Sequence, residues 1–169
     1  VYAVTVRVTD DGVPPLDDFK TFTITVNEVN VPPFFTGPPT NRFVVAELTT
    51  LTFTNSAADN DLPANPLSFS LVSGPAGVAV DPVTGVLTWT PTEAQGPSTN
   101  TILVRVTDLN TNAVNTQQLS ATNTYTVVVN EANTAPVLAT PANLTVNPGE
   151  IVTFTNTATD ADTPANILT

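Results

Sequence analysis

Residues 53–65 read FTNSAADNDLPAN, and residues 154–166 read FTNTATDADTPAN. The second segment repeats the first almost letter for letter after a shift of 101 residues. Repetition at this spacing indicates a tandem array of domains that are each about a hundred residues long. The copy also duplicates a set of polar side chains, which are Asp59, Asp61 and Asn65 in the first segment and Asp160, Asp162 and Asn166 in the second. Whatever chemistry the first set performs is therefore available again in the second.

Apolar and polar residues alternate along much of the chain, with the two-residue period of a half-buried β-strand. Residues 1–9 (VYAVTVRVT) and 101–107 (TILVRVT) show this pattern and are rich in β-branched side chains. Turn-forming clusters such as SGPAG at 73–77 and DPVTG at 81–85 separate the alternating segments. The sequence therefore predicts an all-β fold of tandem β-sandwiches, with about seven strands in each complete domain.

Further repeated motifs set the domain limits. The VTD of residues 8–10 recurs at 106–108, and the VNE of residues 26–28 recurs at 129–131, so the hairpin between the two motifs is five residues longer in the second copy. Proline-containing segments follow each VNE and are typical of stiff linkers. We therefore predict three units: residues 1–30 as the last two strands of one domain, 31–133 as a complete domain, and 134–169 as the first two strands of a third.

The composition excludes several classes of function. Fifteen acidic residues against four basic ones give a formal net charge of −11, which disfavours nucleic acid and anionic membrane surfaces as partners. No direct membrane insertion is expected. Cysteine and histidine are absent, which removes disulfides, thiol chemistry and most zinc, copper or iron sites. The serines have no base in a recognisable motif, and the carboxylates recur with the repeat, so we do not expect an enzyme.

Three segments resemble a known family. Residues 158–166 (ATDADTPAN) resemble the Asp-x-Asp stretch of cadherin repeats, and residues 8–16 (VTDDGVPPL) resemble their Asp-x-Gly-x-Pro motif. Residues 67–96 are more similar to bacterial cadherin-like, dystroglycan-type or immunoglobulin-like repeats. The resemblance implies tandem Ig-like or cadherin-like Greek-key β-sandwiches, because such repeats occur in tandem in large secreted or cell-surface proteins. The resemblance implies an extracellular location, with neighbouring repeats of the same chain as partners and a surface glycan or protein as a further ligand.

The resemblance also implies calcium at the junctions between successive domains. Its ligands at the first junction would be Glu28, Asn30, Asp59, Asp61, Asn65 (through its backbone carbonyl) and Asp108. Those at the second junction would be Glu131, Asn133, Asp160, Asp162 and Asn166. Glu93 matches the glutamate of the family's Asp-Arg-Glu motif, and Glu47 matches the glutamate near the end of the first strand. Both should lie at the pole of the domain that faces the second junction.

The residues support calcium without the resemblance, because Ca²⁺ takes six to eight oxygen ligands and gathered carboxylates repel one another unless a cation joins them. Some positions depart from the family. Val31 and Thr134 stand where cadherin linkers carry a bridging aspartate, and Pro91 replaces the aspartate of Asp-Arg-Glu. Asp108 is followed by Leu109-Asn110 rather than by a residue and then glycine. Fewer carboxylates imply one ion at each junction instead of three, with weaker binding.

Three alternatives stay open at this point. The aspartates could simply cap turns through Asx hydrogen bonds. The chain could instead be an accessory carbohydrate- or ligand-binding domain of a secreted enzyme, which would need exposed aromatic side chains on one face. The candidates for such a face are Phe34, Phe35, Phe43 and Tyr125. A plain spacer without metal shares the same fold and predicts no response to a chelator.

Overall fold

The computed structural model describes all 169 residues and contains β-strands and one 3-10 turn, Glu93–Gln95, which confirms the all-β prediction. None of its helical structure has the length and apolar character that crossing a membrane requires. The strands are β1 (Tyr2–Thr9), β2 (Asp17–Ile24), β3 (Phe34–Gly37), β4 (Arg42–Ala46), β5 (Leu51–Thr54), β6 (Ser56–Ala58), β7 (Leu67–Ser73), β8 (Ala79–Val80), β9 (Val86–Trp89), β10 (Ser98–Asp108), β11 (Ser120–Asn130), β12 (Val137–Leu138) and β13 (Ala158–Thr159).

Strands β3 to β11 form a β-sandwich. One sheet has the strand order β4-β11-β10-β7, and the other has the order β5-β9-β8. β3 pairs with β6, which continues β5 after the single residue Asn55, so this pair extends the second sheet. The first strand of the domain is thus divided between the sheets, since β3 belongs to one and β4 runs parallel to β11 in the other. Counting β3 with β4 and β5 with β6 gives seven strands, as the sequence predicts.

The core lies between these two sheets. Alternate residues of β9, β10 and β11 point into it, as the two-residue period of a strand requires. Its fully buried members include Leu87, Trp89, Ile102, Val104, Tyr125, Val127 and Val129. Phe43 stacks on Phe53 with a centroid separation of 4.2 Å. The Trp89 indole N–H donates to the Ala76 carbonyl at 3.2 Å, so this tryptophan is a core residue with its polar atom satisfied.

A buried polar contact fixes the break between β5 and β6, which leads the chain into the loop that carries Asp59 and Asp61. The Tyr125 hydroxyl donates to Asn55 Oδ1 at 2.6 Å, and Asn55 Nδ2 donates to the Gly85 carbonyl at 2.8 Å. Gly85 has φ +69°, and a Cβ there would lie 2.4 Å from the Asn55 carbonyl oxygen. Only glycine allows this close approach of two backbones.

The segments outside the sandwich are less regular. β1 and β2 pair as an antiparallel hairpin, whereas residues 134–169 form only the short pair β12–β13. This pair repeats the β3–β6 pairing at the start of the sandwich. In the sandwich, however, β4 and β5 pair with β11 and β9, which lie much later in the sequence. Residues 134–169 include no counterparts of those partners, so the rest of the segment has no ladder to join.

Candidate metal centres

Three aspartates meet at one pole of the sandwich. Asp59 and Asp61 lie in the loop after β6, and Asp108 is the last residue of β10. Their carboxylate oxygens lie within 4.8 Å of one another. We call these three residues the Asp cluster. Asp61 and Asp108 are 5% and 1% exposed, so the cluster is sheltered from water.

Backbone donors hold Asp61 in position. The Asp61 amide donates to Asp59 Oδ1 at 2.8 Å, which is an Asx turn, and the Val31 amide donates to both Asp61 oxygens at 3.1 and 3.2 Å. Asn65 contributes its side-chain amide, which donates to Asp61 Oδ2 at 2.9 Å. The turn-capping role considered in the sequence is therefore present for Asp59, and Asp61 additionally ties the loop to the linker.

The linker residues also reach the Asp cluster. Asn30 is 3% exposed, and its side-chain amide donates to Asp108 Oδ1 at 3.2 Å. The side-chain amide of Asn110 donates to Glu28 Oε1 at 3.4 Å and to Asp61 Oδ2 at 3.1 Å. In the sequence, Asn110 is notable only because it departs from the family motif. The structure gives it a bridging position between linker and loop.

Several oxygens of this site have no hydrogen-bond partner. They are Asn30 Oδ1, Asp59 Oδ2 and Asp108 Oδ2, and all three are buried. Buried polar atoms are nearly always paired, because an unpaired one keeps the full cost of its desolvation. Three unpaired oxygen acceptors beside a group of carboxylates are the arrangement that a bound cation would satisfy.

A second carboxylate cluster lies where the sandwich meets residues 134–169. Glu47 follows β4, Glu93 begins the 3-10 turn, and Glu131 follows β11. Their carboxylate oxygens also lie within 4.8 Å of one another. We call these three residues the Glu cluster. Glu47 is fully buried, and its Oε2, like both carboxylate oxygens of Glu131, has no hydrogen-bond partner.

Burial and mutual repulsion between the carboxylates raise the pKa values of two members of the Glu cluster. Burial raises the pKa of both Glu93 and Glu131, and the nearby charge of Glu47 raises the pKa of each further. No basic side chain compensates, since the two ion pairs of the protein, Arg7–Asp17 and Lys20–Asp18, both lie in the β1–β2 hairpin. The cluster is a concentration of negative charge with no protein counter-ion.

Residues 134–169 reproduce the geometry of the Asp61 loop beside the Glu cluster. The Asp162 amide donates to Asp160 Oδ1 at 2.9 Å, and the Thr134 amide donates to Asp162 Oδ1 at 2.9 Å. The hydrogen bonds from the Thr134 hydroxyl and amide hold the pKa of Asp162 below its usual value. Asn166 donates to Asp162 Oδ2 at 2.6 Å and to Asn133 Oδ1 at 3.0 Å.

One hydrogen bond joins this loop directly to the Glu cluster. The Thr163 amide donates to Glu93 Oε1 at 3.1 Å. The charge of Asp162 also contributes to the raised pKa values of Glu93 and Glu131. The predicted second-junction residues thus form two facing groups, with the glutamates on the sandwich and Asp160, Asp162 and Asn166 on the following segment.

Solved structures with a similar fold include cadherin ectodomains. An extracellular domain structure of protocadherin GammaB4 matches 95% of the chain with a TM-score of 0.58 and 24% identity. Mouse cadherin-23 EC22-24 matches 82% of the chain with a TM-score of 0.60 and 22% identity. A protocadherin gammaB7 EC3-6 cis-dimer structure matches 95% of the chain with a TM-score of 0.56 and 25% identity.

The chain spans 29% to 45% of the length of these three chains. No protein-family model matches the sequence, and no curated protein does. The likeness therefore establishes a cadherin-like β-sandwich fold.

Proposed function

We propose that this chain is a non-catalytic structural and adhesive repeat of a large extracellular or cell-surface protein, in which calcium stiffens the joints between domains. The Glu cluster is the observation that carries the proposal. It gathers Glu47, Glu93 and Glu131 from three separate elements at a junction, with unpaired buried oxygens and no cationic side chain.

The donor set and its spacing fit calcium. Two oxygens that bind one Ca²⁺ at about 2.4 Å are at most about 4.8 Å apart, and the carboxylate oxygens of both clusters meet this limit. Mg²⁺ requires near-ideal octahedral geometry at shorter distances and keeps several waters, so a group of glutamates from separate elements suits it less well. All candidate ligands are oxygen atoms, as hard divalent cations prefer.

Both clusters lie at contacts between the sandwich and its neighbouring segments, so an ion bound there could affect how the segments are oriented. Glu93 of the sandwich accepts from Thr163 of the next segment, and Asp61 accepts from Val31 of the linker. An ion that bound only when both sides of a junction are docked would stabilise the docked form by mass action. We therefore infer that calcium fixes the orientation of neighbouring repeats without being needed for the sandwich itself.

In this proposal, residues 31–133 are one whole repeat, and residues 1–30 and 134–169 are parts of two others. The β1–β2 hairpin supports this division, because the face formed by Tyr2, Val6 and Val8 is exposed at 63%, 55% and 65%. One sheet of a sandwich would expose its apolar face in this way if the facing sheet were not there to cover it. The matching β3–β6 and β12–β13 pairs support a third repeat that begins at residue 134.

The aromatic residues offer little support for the carbohydrate-binding alternative within residues 31–133. Tyr125 is fully buried, and Phe43 packs against both Phe53 and Tyr125. Phe34 is the most exposed of the four candidates at 42%, and it lies at the linker. A sugar platform needs several exposed rings on one face, which this sandwich does not present.

Thermal unfolding of the full chain, with calcium and then with excess chelator, tests the calcium proposal. Calcium at about a hundredfold excess over Kd should stabilise the docked form by about 2.7 kcal/mol, a rise in Tm on the order of 10 °C at about 4–8 °C per kcal/mol. In Glu131→Gln we expect this calcium response to be reduced, because the Asp cluster alone is left intact. The same substitution should leave Tm in chelator unchanged or higher, because it removes one of the repelling charges.

Asp11→Asn is the matched control, since Asp11 is exposed and lies outside both clusters. It should keep the calcium response. If the parent protein shows no shift, or if Glu131→Gln keeps the full shift, the calcium joint is refuted and the metal-free spacer becomes the better proposal.

A further inference from the structure

The hairpin loop between β10 and β11 contacts the first linker through its backbone. The Val114 amide donates to the Glu28 carbonyl at 3.0 Å, and Glu28 and Ala113 form an isolated parallel β-bridge. The linker is therefore paired with residues 109–119 as a short extended strand would be. None of these contacts uses a carboxylate.

Asn115 extends the pairing by imitating a backbone unit. Its Oδ1 accepts from the Asn30 amide at 2.8 Å, and its Nδ2 donates to the Asn30 carbonyl at 3.0 Å. The side chain of Asn30 in turn donates to the Thr116 carbonyl at 3.1 Å. Both main-chain polar groups of Asn30 are thus satisfied by one side-chain amide, which specifies the register of the linker.

The loop is held in this shape by its own hydrogen bonds. The backbone amide of Asn110 donates to the Gln117 carbonyl at 2.9 Å, and Gln117 Nε2 donates to the Thr111 carbonyl at 3.1 Å. At its base, Leu119 donates to Asp108 Oδ1 at 2.7 Å. A loop that is already ordered loses little conformational entropy when it binds a segment, so these contacts hold the linker effectively.

We propose that residues 109–119 form a metal-independent clamp, which holds the linker segment Glu28–Asn30 against the sandwich whether or not calcium is present. The contacts that Val114, Asn115 and Thr116 make with the linker involve neutral amides and carbonyls, so removing a cation leaves them intact. The clamp requires the extra length of this loop, because the corresponding hairpin loop after Asp10 is five residues shorter. Joints of the array that have the short loop would depend on their ions alone.

Amide hydrogen exchange of the full chain in excess chelator tests the clamp directly. The amides of Asn30 and Val114 should be protected in the parent protein without calcium. In Asn115→Ala, which removes both contacts to the Asn30 backbone, their exchange should be about tenfold faster, equivalent to about 1.4 kcal/mol. The Asn110 amide, which is bonded within the loop, should keep its protection and show that the loop is still folded.

Asn112→Ala is the matched control. Asn112 lies in the same loop and is exposed, and only its backbone amide is hydrogen-bonded. Its exchange rates should equal those of the parent protein. The clamp is refuted if the Asn30 and Val114 amides of the parent exchange freely in chelator, or if Asn115→Ala and Asn112→Ala behave alike. Because every sample contains chelator, this outcome is independent of whether calcium binds.

Discussion

At the scale of single residues, Gly96 shows how closely the Glu cluster is packed. A Cβ at position 96 would lie 1.9 Å from Glu47 Oε2 and 3.2 Å from Val129 Cγ1. The backbone of Gly96 has φ −111°, which any residue adopts, so glycine is required here by the space beside Glu47 and not by its conformation. No sequence pattern singles out this glycine.

Gly96→Ala should therefore displace the Glu47 carboxylate. We expect calcium affinity to fall by at least about tenfold, because one of few charged ligands leaves the site. Unfolding free energy in chelator should fall by about 1–3 kcal/mol from overpacking. Gly74→Ala is the control, since a Cβ there makes contacts at 3.5–3.6 Å, which is ordinary van der Waals distance. Calcium titration of both variants is the measurement, and equal affinities would contradict this role for Glu47.

The raised pKa values of Glu93 and Glu131 predict opposite effects of pH with and without calcium. Each folded pKa lies above its ordinary value of 4.5, so without metal the cluster stabilises the fold below that pH and loses this contribution as pH rises through the folded pKa. Calcium binds only the deprotonated cluster. Calcium affinity, measured by titration, should therefore rise between about pH 5 and about pH 7. Equal affinities at the two pH values would count against the Glu cluster as the site.

At the scale of elements, strand pairing separates stable parts of the chain from marginal ones. β10 and β11 pair over nearly their whole length and carry the core, whereas β1 and β2 pair only with each other and β12 and β13 are two residues each. A two-stranded hairpin is marginally stable in water on its own. The elements outside the sandwich therefore depend on partners that they do not supply to each other.

Amide exchange along the whole chain checks this difference. In a monomeric sample, amides of β1, β2, β12 and β13 should exchange much faster than those of β10 and β11, because local opening needs little free energy where few contacts are lost. The exposed apolar face of β1 should also promote self-association at higher concentration. Equal protection of the hairpin and the sandwich in the monomer would show that the hairpin is stabilised in a way that its contacts do not explain.

At the scale of the whole molecule, the two junctions are built differently. The first combines the Asp cluster with three asparagine amides and the clamp, while the second brings the Glu cluster to face a copy of the Asp61 loop. Amide donors satisfy part of the negative charge at the first junction. The Glu cluster at the second junction accepts hydrogen bonds from two backbone amides, those of Ala132 and Thr163, and from no asparagine side chain. We therefore expect the second junction to respond more strongly to calcium.

The sequence alone determined the fold class and the loop that carries Asp59 and Asp61. These features are local: a two-residue period needs only neighbouring residues, and proline, glycine and asparagine set turns by their own backbone preferences. The repeat then transferred each local prediction to its copy. The seven-strand count followed in the same way, although the division of the first strand between two sheets did not.

The resemblance placed Glu47, Glu93 and Glu131 at the second junction, but only the tertiary structure decided how closely they meet. Glu47, Glu93 and Glu131 are far apart in the sequence, and the distances between them depend on how the two sheets pack and where β4, the 3-10 turn and β11 end. The same holds for the clamp, because the extra length of the loop was visible in the sequence but its pairing with Glu28 and Asn30 was not. Hydrogen bonds between distant segments become possible only after the hydrophobic core has fixed the strands, and no local pattern encodes that geometry.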